Sequence, residues 1–208
     1  MENMMKVIGL SGGIASGKSS VANILEKCGA VVVDADLLAR EVVAPGEPAY
    51  HDITEAFGTT VLRPDGTLDR TALGKLVFAD VAARKVLERI THPRIAERAA
   101  RRIEEERQRE TNVLFYVVPL LIEAGLVSTV DEVWLVSVDK EVQINRLMKR
   151  DAIPREEALR KIAAQMPLQE KAAYADVIID NNGLPDETAR NVMLEWNRLL
   201  ERITASDS

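Results

Sequence analysis

The segment Gly12–Ser19 constrains this chain most, because it is a complete G-x-x-x-x-G-K-[ST] phosphate loop. The apolar run at residues 7–10 precedes it and predicts a buried strand, while a run with helical periodicity from Val21 to Leu25 follows it. Strand, loop and helix therefore occur in the order that a phosphate-binding loop requires. The motif predicts a site for a nucleoside triphosphate, and a glycine-rich turn without nucleotide is the alternative.

The chemistry expected of this loop follows from the high negative charge of a triphosphate. Glycines let the backbone curl so that successive N–H groups point inward, and the N-terminus of the following helix adds positive potential. We expect Lys18 to reach the β- and γ-phosphates and the Ser19 hydroxyl to bind Mg²⁺. The predicted nucleotide-binding residues of the loop are Gly12, Gly13, Ile14, Ala15, Ser16, Gly17, Lys18, Ser19 and Ser20.

Composition limits the partners of the protein. The 208 residues carry a formal net charge of −6 and the pI is about 5.2, which gives no electrostatic case for nucleic acid as the main partner. No apolar stretch is long enough to span a bilayer, and residues 1–6 lack the apolar region of a signal peptide. Cys28 is the only cysteine and cannot form an internal disulfide. We expect a cytoplasmic protein that binds neither nucleic acid nor membrane, and the sequence does not predict its oligomeric state.

Five apolar runs with strand character alternate with helical segments, which predicts an α/β fold with a parallel sheet covered on both faces. These runs are residues 7–10, 30–33, 113–118, 132–138 and 177–179. Residues 37–111 separate the second run from the third, far more than a simple crossover needs, and this indicates an inserted helical subdomain. Inside the insertion we expect Asp69 and Asp80 to cap helices and Pro93 to begin a long helix.

Two further groups of side chains are candidates for chemistry. Asp34 and Asp36 follow the second strand, at the edge where open α/β sheets bind ligands. We expect one carboxylate to cap the next helix and the other to face the substrate, where it would accept a proton or hold water on Mg²⁺. Arg146 and Arg150 lie one helical turn apart and would stabilise a transferring phosphoryl group. The alternative for these arginines is an exposed charged surface neutralised by neighbouring acids.

In this order and spacing the motifs resemble those of the dephospho-CoA kinase family, from Lys6 to about Trp196. The matching segments are Val7–Ser19, Asp34–Arg40, His92-Pro93, Pro119–Glu123, the Gln143-x-x-Arg146-x-x-x-Arg150 pattern and Asp180–Gly183. The resemblance implies a P-loop NTPase fold with three α/β/α layers, five parallel strands in the order 2-3-1-4-5 and a short helical lid. It also implies transfer of the ATP γ-phosphoryl group to the 3′-hydroxyl of dephospho-CoA, giving CoA and ADP in the last step of coenzyme A synthesis.

The resemblance further implies roles for particular residues. Asp36 matches the general base near the 3′-hydroxyl, and Asp34 supports that base or the metal. Lys18 is expected to act on the ATP phosphates during transfer, and Arg146 and Arg150 resemble phosphate-binding arginines of the lid.

The substrate-facing residues and the domain boundaries are implied in the same way. Asn182 resembles the loop beside adenine, while Arg40 and His92 are expected to line the approach of dephospho-CoA. A histidine before a proline can instead brace a helix start. The implied organisation is a nucleotide-binding core of residues 5–44 and 112–203, a dephospho-CoA-binding insertion of residues 45–111 and a lid of residues 146–167.

One position departs from the family pattern. Many members carry an acidic residue two positions before Pro119, where this chain has Val117. Mg²⁺ is therefore expected to rely on Ser19, phosphate oxygens, water and Asp36. Two alternatives stay open: another P-loop kinase that acts on a nucleoside, nucleotide or small metabolite, and a nucleotide-binding switch without a small acceptor. The lack of an N-K-x-D guanine motif counts against the switch.

Overall fold

Five strands form one sheet in this computed structural model, which describes residues 5–206. The strands are β1 (Lys6–Gly12), β2 (Val31–Asp34), β3 (Val113–Val117), β4 (Glu132–Ser137) and β5 (Val177–Asp180). Their order is β2-β3-β1-β4-β5, and β1 pairs in parallel with β3 and β4, as β4 does with β5. The predicted α/β fold with a five-stranded parallel sheet is confirmed, as is the strand order.

Helices precede, follow and connect these strands. They are α1 (Lys18–Lys27), α2 (Ala35–Glu41), α3 (Pro48–Phe57), α4 (Arg70–Ala79), α5 (Val81–Gln108), α6 (Lys140–Asp151), α7 (Arg155–Ala163), α8 (Leu168–Lys171) and α9 (Pro185–Ser206). Within residues 5–206, none of them combines the length and the apolarity that a membrane span needs. The expected lack of a signal peptide concerned residues 1–6. Of these, residues 1–4 lie outside the described part of the chain.

The chain divides into two compact units. The first unit contains the sheet and consists of two segments of the chain, one that ends at Val33 and one that begins at Glu106. The second unit is Asp34–Glu105. The second unit has its own apolar core, in which Ile53, Val61 and Leu73 are buried. A function for this segment in binding dephospho-CoA stays a prediction, as do the boundaries proposed for it.

Aromatic packing fixes the core of the sheet unit. Phe115 of β3 and Trp134 of β4 are both fully buried, with ring centroids 5.0 Å apart in an edge-to-face arrangement. Trp196 of α9 packs on the same phenylalanine at 6.2 Å. Val21 and Leu25 of α1 belong to the same cluster. The helix that follows the phosphate loop is therefore anchored by apolar contacts on the sheet.

The prediction that Pro93 begins a helix is wrong, because α5 runs from Val81 to Gln108 with this proline inside it. A proline removes one backbone donor and normally kinks or breaks a helix. Two side chains beside it donate hydrogen bonds to backbone carbonyls of the preceding turn. Thr91 Oγ1 donates to the carbonyl of Leu87 at 2.9 Å, and Arg94 Nη1 donates to that of Ile90 at 2.7 Å. The carbonyl that loses its helical donor at this proline is that of Arg89, so these two bonds lie beside the interruption and do not replace the missing one. The predicted helix caps at Asp69 and Asp80 are confirmed.

Truncation of Phe115 tests the packing of the sheet unit. We expect Phe115→Ala to lower the free energy of unfolding by about 3–5 kcal/mol, because it leaves a cavity between two tryptophans. Trp134 and Trp196 are the only tryptophans of the chain, so urea unfolding followed by tryptophan fluorescence reports on this core. The matched control is Phe78→Ala, whose ring is 91% exposed, and it should change that energy by less than about 0.5 kcal/mol. Equal losses in both variants would contradict this assignment of the core.

Candidate active site

The phosphate loop connects β1 to α1 through two residues in the left-handed region. Ala15 has φ 58° and Gly17, the residue before α1, has φ 96°. A left-handed conformation is unfavourable for alanine, so the surrounding contacts must hold it. Left-handed residues in such a turn direct backbone N–H groups toward one concave side, which is how an anion-binding nest forms. The backbone of the predicted motif therefore has the conformation expected for binding phosphate.

Close packing explains both glycines at the ends of the loop. A Cβ on Gly12 would lie 2.7 Å from Ser16 Oγ and 2.7 Å from the carbonyl oxygen of Val136. A Cβ on Gly17 would overlap Asn181 Nδ2, and it would lie 3.8 Å from Arg146 Nη1. Asn181 and Arg146 thus pack directly against the second glycine.

Three amide side chains hydrogen-bond to the backbone of the loop. Gln143 Nε2 of α6 donates to the carbonyl of Ile14 at 2.7 Å, and the backbone N–H of Ile14 donates to Gln165 Oε1 at 2.7 Å. Asn181 Nδ2 donates to the carbonyl of Ser16 at 2.7 Å, and its Oδ1 accepts from Thr188 Oγ1 at 2.6 Å. Residues far along the chain therefore fix the loop from outside.

The hydroxyls and the lysine of the motif lie in different environments. Lys18 Nζ donates to the carbonyls of Gly12 and Gly13 at 2.9 and 3.0 Å, so its ammonium group lies across the loop. Ser16 Oγ is buried and has no hydrogen-bond partner among residues 5–206. Ser19 and Ser20 are exposed in the first turn of α1. Of the three residues, Ser19 and Ser20 are the ones exposed to solvent.

The two predicted phosphate-binding arginines differ in position. Arg146 lies beside Gly17, whereas Arg150 pairs with its neighbour Asp151, with Nε 2.8 Å from Oδ1. Lys161 of α7 binds the same carboxylate at 3.1 Å. The hydrogen bond from Arg150, together with that from Lys161, lowers the pKa of Asp151, and the hydrogen bond to Asp151 raises the pKa of Lys161. Neighbouring acids thus neutralise part of the predicted lid, as the alternative interpretation held, while Arg146 adjoins the loop.

Asp34 and Asp36 lie at the start of the second unit. Asp34 caps α2, and its Oδ1 accepts from the N–H of Asp36 at 2.7 Å. Asp36 is exposed in the first turn of that helix. Asp34 is thus the carboxylate that caps the helix, as was expected of one of the two. The catalytic function of Asp36 stays a prediction.

Arg40, which was expected from the sequence to line the approach of dephospho-CoA, lies near two arginines of the second unit that were not predicted, Arg63 and Arg70. Arg70 Nη2 donates to the carbonyl of Arg40 at 3.4 Å. Partial burial, and then the nearby charges of Arg40 and Arg63, lower the pKa of Arg70 below its ordinary value. Arg40, Arg63 and Arg70 therefore contribute positive charge to one part of this unit, which can attract an anion. His92 lies exposed inside α5, so it does not brace a helix start.

Asn182, predicted to lie beside adenine, makes local contacts. Its Oδ1 accepts from the N–H of Asp139 at 2.7 Å, and its Nδ2 donates to Asp180 Oδ1 at 2.8 Å. The preceding residue, Asn181, is the one that contacts the phosphate loop. Both asparagines belong to the Asp180–Gly183 segment that the sequence singled out, but the letters alone do not distinguish the buried one from the exposed one.

An ion pair with one fully buried partner lies at the same edge of the sheet. Lys171 of α8 is fully buried, and its Nζ is 2.8 Å from Glu123 Oε1 and 3.1 Å from the carbonyl of Pro119. Ser11 Oγ donates to this carbonyl at 3.3 Å, and the N–H of Met166 donates to Glu123 at 3.2 Å. Burying a paired charge costs desolvation energy, which the pairing and the carbonyl bond offset. The pair ties the segment after β3 to α8.

Comparison with known proteins assigns the family. The family model described as dephospho-CoA kinase matches residues 6–187. A dephospho-CoA kinase from Geobacter metallireducens is 54% identical over 198 residues, covering 95% of this chain and 98% of the relative. A solved protein from Thermus thermophilus, TT1252, has a TM-score of 0.78 at 34% identity and covers 94% of this chain and 98% of its own. The solved dephospho-CoA kinase from Campylobacter jejuni has a TM-score of 0.71 at 25% identity, and the match covers 100% of both chains.

A methyl group at Gly17 tests the contact with Asn181. We expect Gly17→Ala to abolish most phosphotransfer activity, because the methyl group displaces Asn181 and strains a residue at φ 96°. Turnover should fall by roughly 100-fold, which corresponds to about 2.7 kcal/mol. Steady-state release of ADP measures this loss.

The matched control for this variant is Gly29→Ala. Gly29 has φ 97° with no atom within 4 Å of an added Cβ, so it carries the same backbone strain without the clash. We expect it to cost about 1–2 kcal/mol of stability and to leave turnover unchanged. A similar loss of turnover in both variants would show that strain alone, and not Asn181, limits position 17.

Proposed function

Because this chain belongs to the dephospho-CoA kinase family, we propose that it transfers the γ-phosphoryl group of ATP to the 3′-hydroxyl of the dephospho-CoA ribose. The products are CoA and ADP, and the reaction is the last step of coenzyme A synthesis. The observation that carries the proposal is the family match over residues 6–187 on a chain with an intact phosphate loop. Neither alternative from the sequence, another P-loop kinase or a nucleotide switch, gains support from this match.

The proposed site for the ATP phosphates is the backbone of Gly12–Ser19. The left-handed residues Ala15 and Gly17 and the N-terminus of α1 support it, because together they supply directed N–H donors and positive potential. Lys18 belongs to this site, since its ammonium group already lies across the loop. Ser20 and Asn182 are proposed as further contacts of the nucleotide.

The proposed general base is Asp36. Asp34 caps α2 and accepts the N–H of Asp36, so it positions the turn that carries the base. As the acceptor oxygen bonds to phosphorus, Asp36 takes its proton and the bond between the β–γ bridging oxygen and phosphorus breaks. Lys18 and Arg146 stabilise the charge on the transferring oxygens, and Arg150 joins them in exchange for its contact with Asp151.

A divalent metal accompanies ATP in kinases, and Mg²⁺ is the ion proposed here. Residues 5–206 contain no group of three His, Cys, Asp or Glu side chains that could hold an ion by themselves. The exposed Ser19 hydroxyl is an oxygen ligand of the kind that Mg²⁺ takes when phosphates and water supply the others. The residues therefore fit an ion carried by the nucleotide, which would neutralise charge on the β- and γ-phosphates.

Dephospho-CoA is proposed to bind the insertion of residues 45–111, with Arg40 and His92 lining its approach. The arginine group of Arg40, Arg63 and Arg70 supports this, because the substrate carries a pyrophosphate that guanidinium groups bind well. The nucleotide-binding core is proposed as residues 5–44 and 112–203 with a lid at residues 146–167. We propose the cytoplasm as the compartment, with ATP and dephospho-CoA as the partners.

Removing the Asp36 carboxylate tests the proposed base. We expect Asp36→Asn to lower turnover by roughly 100-fold or more while ATP binding is retained, because the amide cannot accept the proton. The assay couples ADP release to dephospho-CoA and checks the mass of the CoA product. Asp186→Asn, an exposed residue in the first turn of α9, is the control and should keep full turnover. Normal turnover of Asp36→Asn would remove the assignment of the base.

Removing the Ser19 hydroxyl tests the proposed metal ligand. We expect Ser19→Ala to raise the Mg²⁺ concentration at half-maximal rate by about 10-fold, which is the loss of roughly 1.4 kcal/mol from one ligand. Titration of Mg²⁺ at fixed ATP measures it. Ser20→Ala removes the neighbouring hydroxyl and should leave the Mg²⁺ dependence unchanged, so a shift of equal size in both variants would refute a specific ligand at position 19.

A further inference from the structure

Two buried side-chain amides donate hydrogen bonds to alternate peptide groups of the phosphate loop from its outer side. Gln143 Nε2 donates to the carbonyl of Ile14 at 2.7 Å, and Asn181 Nδ2 donates to the carbonyl of Ser16 at 2.7 Å. The two residues are only 5% and 7% exposed. Neither contact was expected from the sequence, and neither side chain belongs to the phosphate-binding motif itself.

The geometry of the peptide bond gives these contacts a consequence for the loop. The chain has no cis peptide among the described residues, and in a planar trans peptide the C=O of one residue and the N–H of the next point in opposite directions. A bond that holds the carbonyl of Ile14 outward therefore turns the N–H of Ala15 inward. In the same way, the bond from Asn181 to Ser16 turns the N–H of Gly17 inward.

The two peptides concerned are the ones that need this support. Ala15 and Gly17 are the two residues of the loop that adopt φ of 58° and 96°. Alanine in particular enters this region at a cost, so an isolated loop would relax and turn its N–H groups elsewhere. Gln143 binds the carbonyl that precedes Ala15, and Asn181 binds the carbonyl that precedes Gly17. Gln165 accepts the N–H of Ile14.

The environment of Asn181 fits this function. Its Oδ1 accepts from Thr188 Oγ1, which is 2% exposed, so the orientation of the amide is fixed with its Nδ2 toward the loop. Gly17 must lack a side chain because this amide occupies the space of a Cβ. A neutral donor also suits the place, since a carboxylate would repel both the carbonyl and a phosphate.

We propose that Gln143 and Asn181 are positioning residues that set the direction of the Ala15 and Gly17 N–H groups toward the phosphates. This inference rests on the proposed binding of ATP phosphates by the loop. It assigns to each amide one specific donor: Gln143 acts through Ala15, and Asn181 acts through Gly17. Loss of one amide is expected to disturb its own donor and leave the other in place.

The test uses two substitutions that remove the donor with little change of shape, Gln143→Met and Asn181→Leu. Neither variant adds a charge near the phosphates. Titration of the full-length protein with ADP by calorimetry is expected to give a roughly 10-fold weaker Kd for each variant, as for one lost and unreplaced hydrogen bond. The KM for dephospho-CoA should stay within about 2-fold of the wild-type value, because only phosphate binding is affected.

Amide NMR of ¹⁵N-labelled protein supplies the readout that general destabilisation would not give. In the wild type, the N–H resonances of Ala15 and Gly17 should both move downfield when ADP binds. In Gln143→Met the shift of Ala15 should be reduced and that of Gly17 kept, and in Asn181→Leu the reverse should hold. Wild-type shifts of both resonances in both variants, or equal losses of both shifts in each variant, would overturn the proposal.

Two further proteins make the result unambiguous. Gln169→Met carries the same change at an exposed position of α8 and should bind ADP like the wild type. Lys18→Met tests the proposed phosphate site itself and should lose ADP binding. Wild-type affinity of Lys18→Met would refute the site, whereas loss of ADP binding in Lys18→Met with wild-type affinity in the two amide variants would refute only the present inference. If Asn181→Leu does not fold, Gln143→Met alone decides.

Discussion

The structure depends on one requirement, that the backbone of a single loop must present its N–H groups to an anion while its carbonyl groups find partners elsewhere. An unpaired carbonyl beside bound phosphate would oppose binding, and a buried one would be costly. Here the carbonyls of Gly12 and Gly13 accept from Lys18, and those of Ile14 and Ser16 accept from Gln143 and Asn181. The glycines serve the same purpose because they let these donors approach the loop. The burial of α1 on the sheet serves it because it holds the helix that supplies the positive potential.

Local signals in the sequence were sufficient where the cause is local. The phosphate loop, the alternation of strands and helices and the caps Asp69 and Asp80 follow from neighbouring residues, and the structure contains them. The contact of Asn181 with Ser16 spans 165 positions and has no local signal. The choice between Asn181 and Asn182 depends on where β5 ends, since neighbouring residues at a strand end face opposite ways. Pro93 misled the prediction because proline is common at the first position of a helix, whereas here the helix extends on both sides of it.

Val117 illustrates how one position can serve either the core or the chemistry. In this chain it is 3% exposed, lies opposite Leu10 of β1 and belongs to the aromatic core with Phe115. A carboxylate in this packing would need a metal or a hydrogen-bonding partner to offset its desolvation. A valine here therefore adds apolar contact to the strand beside the phosphate loop, where the family resemblance led us to expect an acidic ligand. The donor set proposed for Mg²⁺ shifts toward the nucleotide for the same reason.

The contacts at the base of the proposed lid limit how it can move. Gln165 accepts the N–H of Ile14, the next residue donates its own N–H to Glu123, and Lys171 is buried against the same carboxylate. On the other side, Gln143 and Arg146 of α6 lie against the phosphate loop. Both ends of the lid are thus attached to the site that the lid would cover. Arg155 lies between these two ends, and its exposed ion pair with Glu141 is of the kind that exchanges partners at little cost.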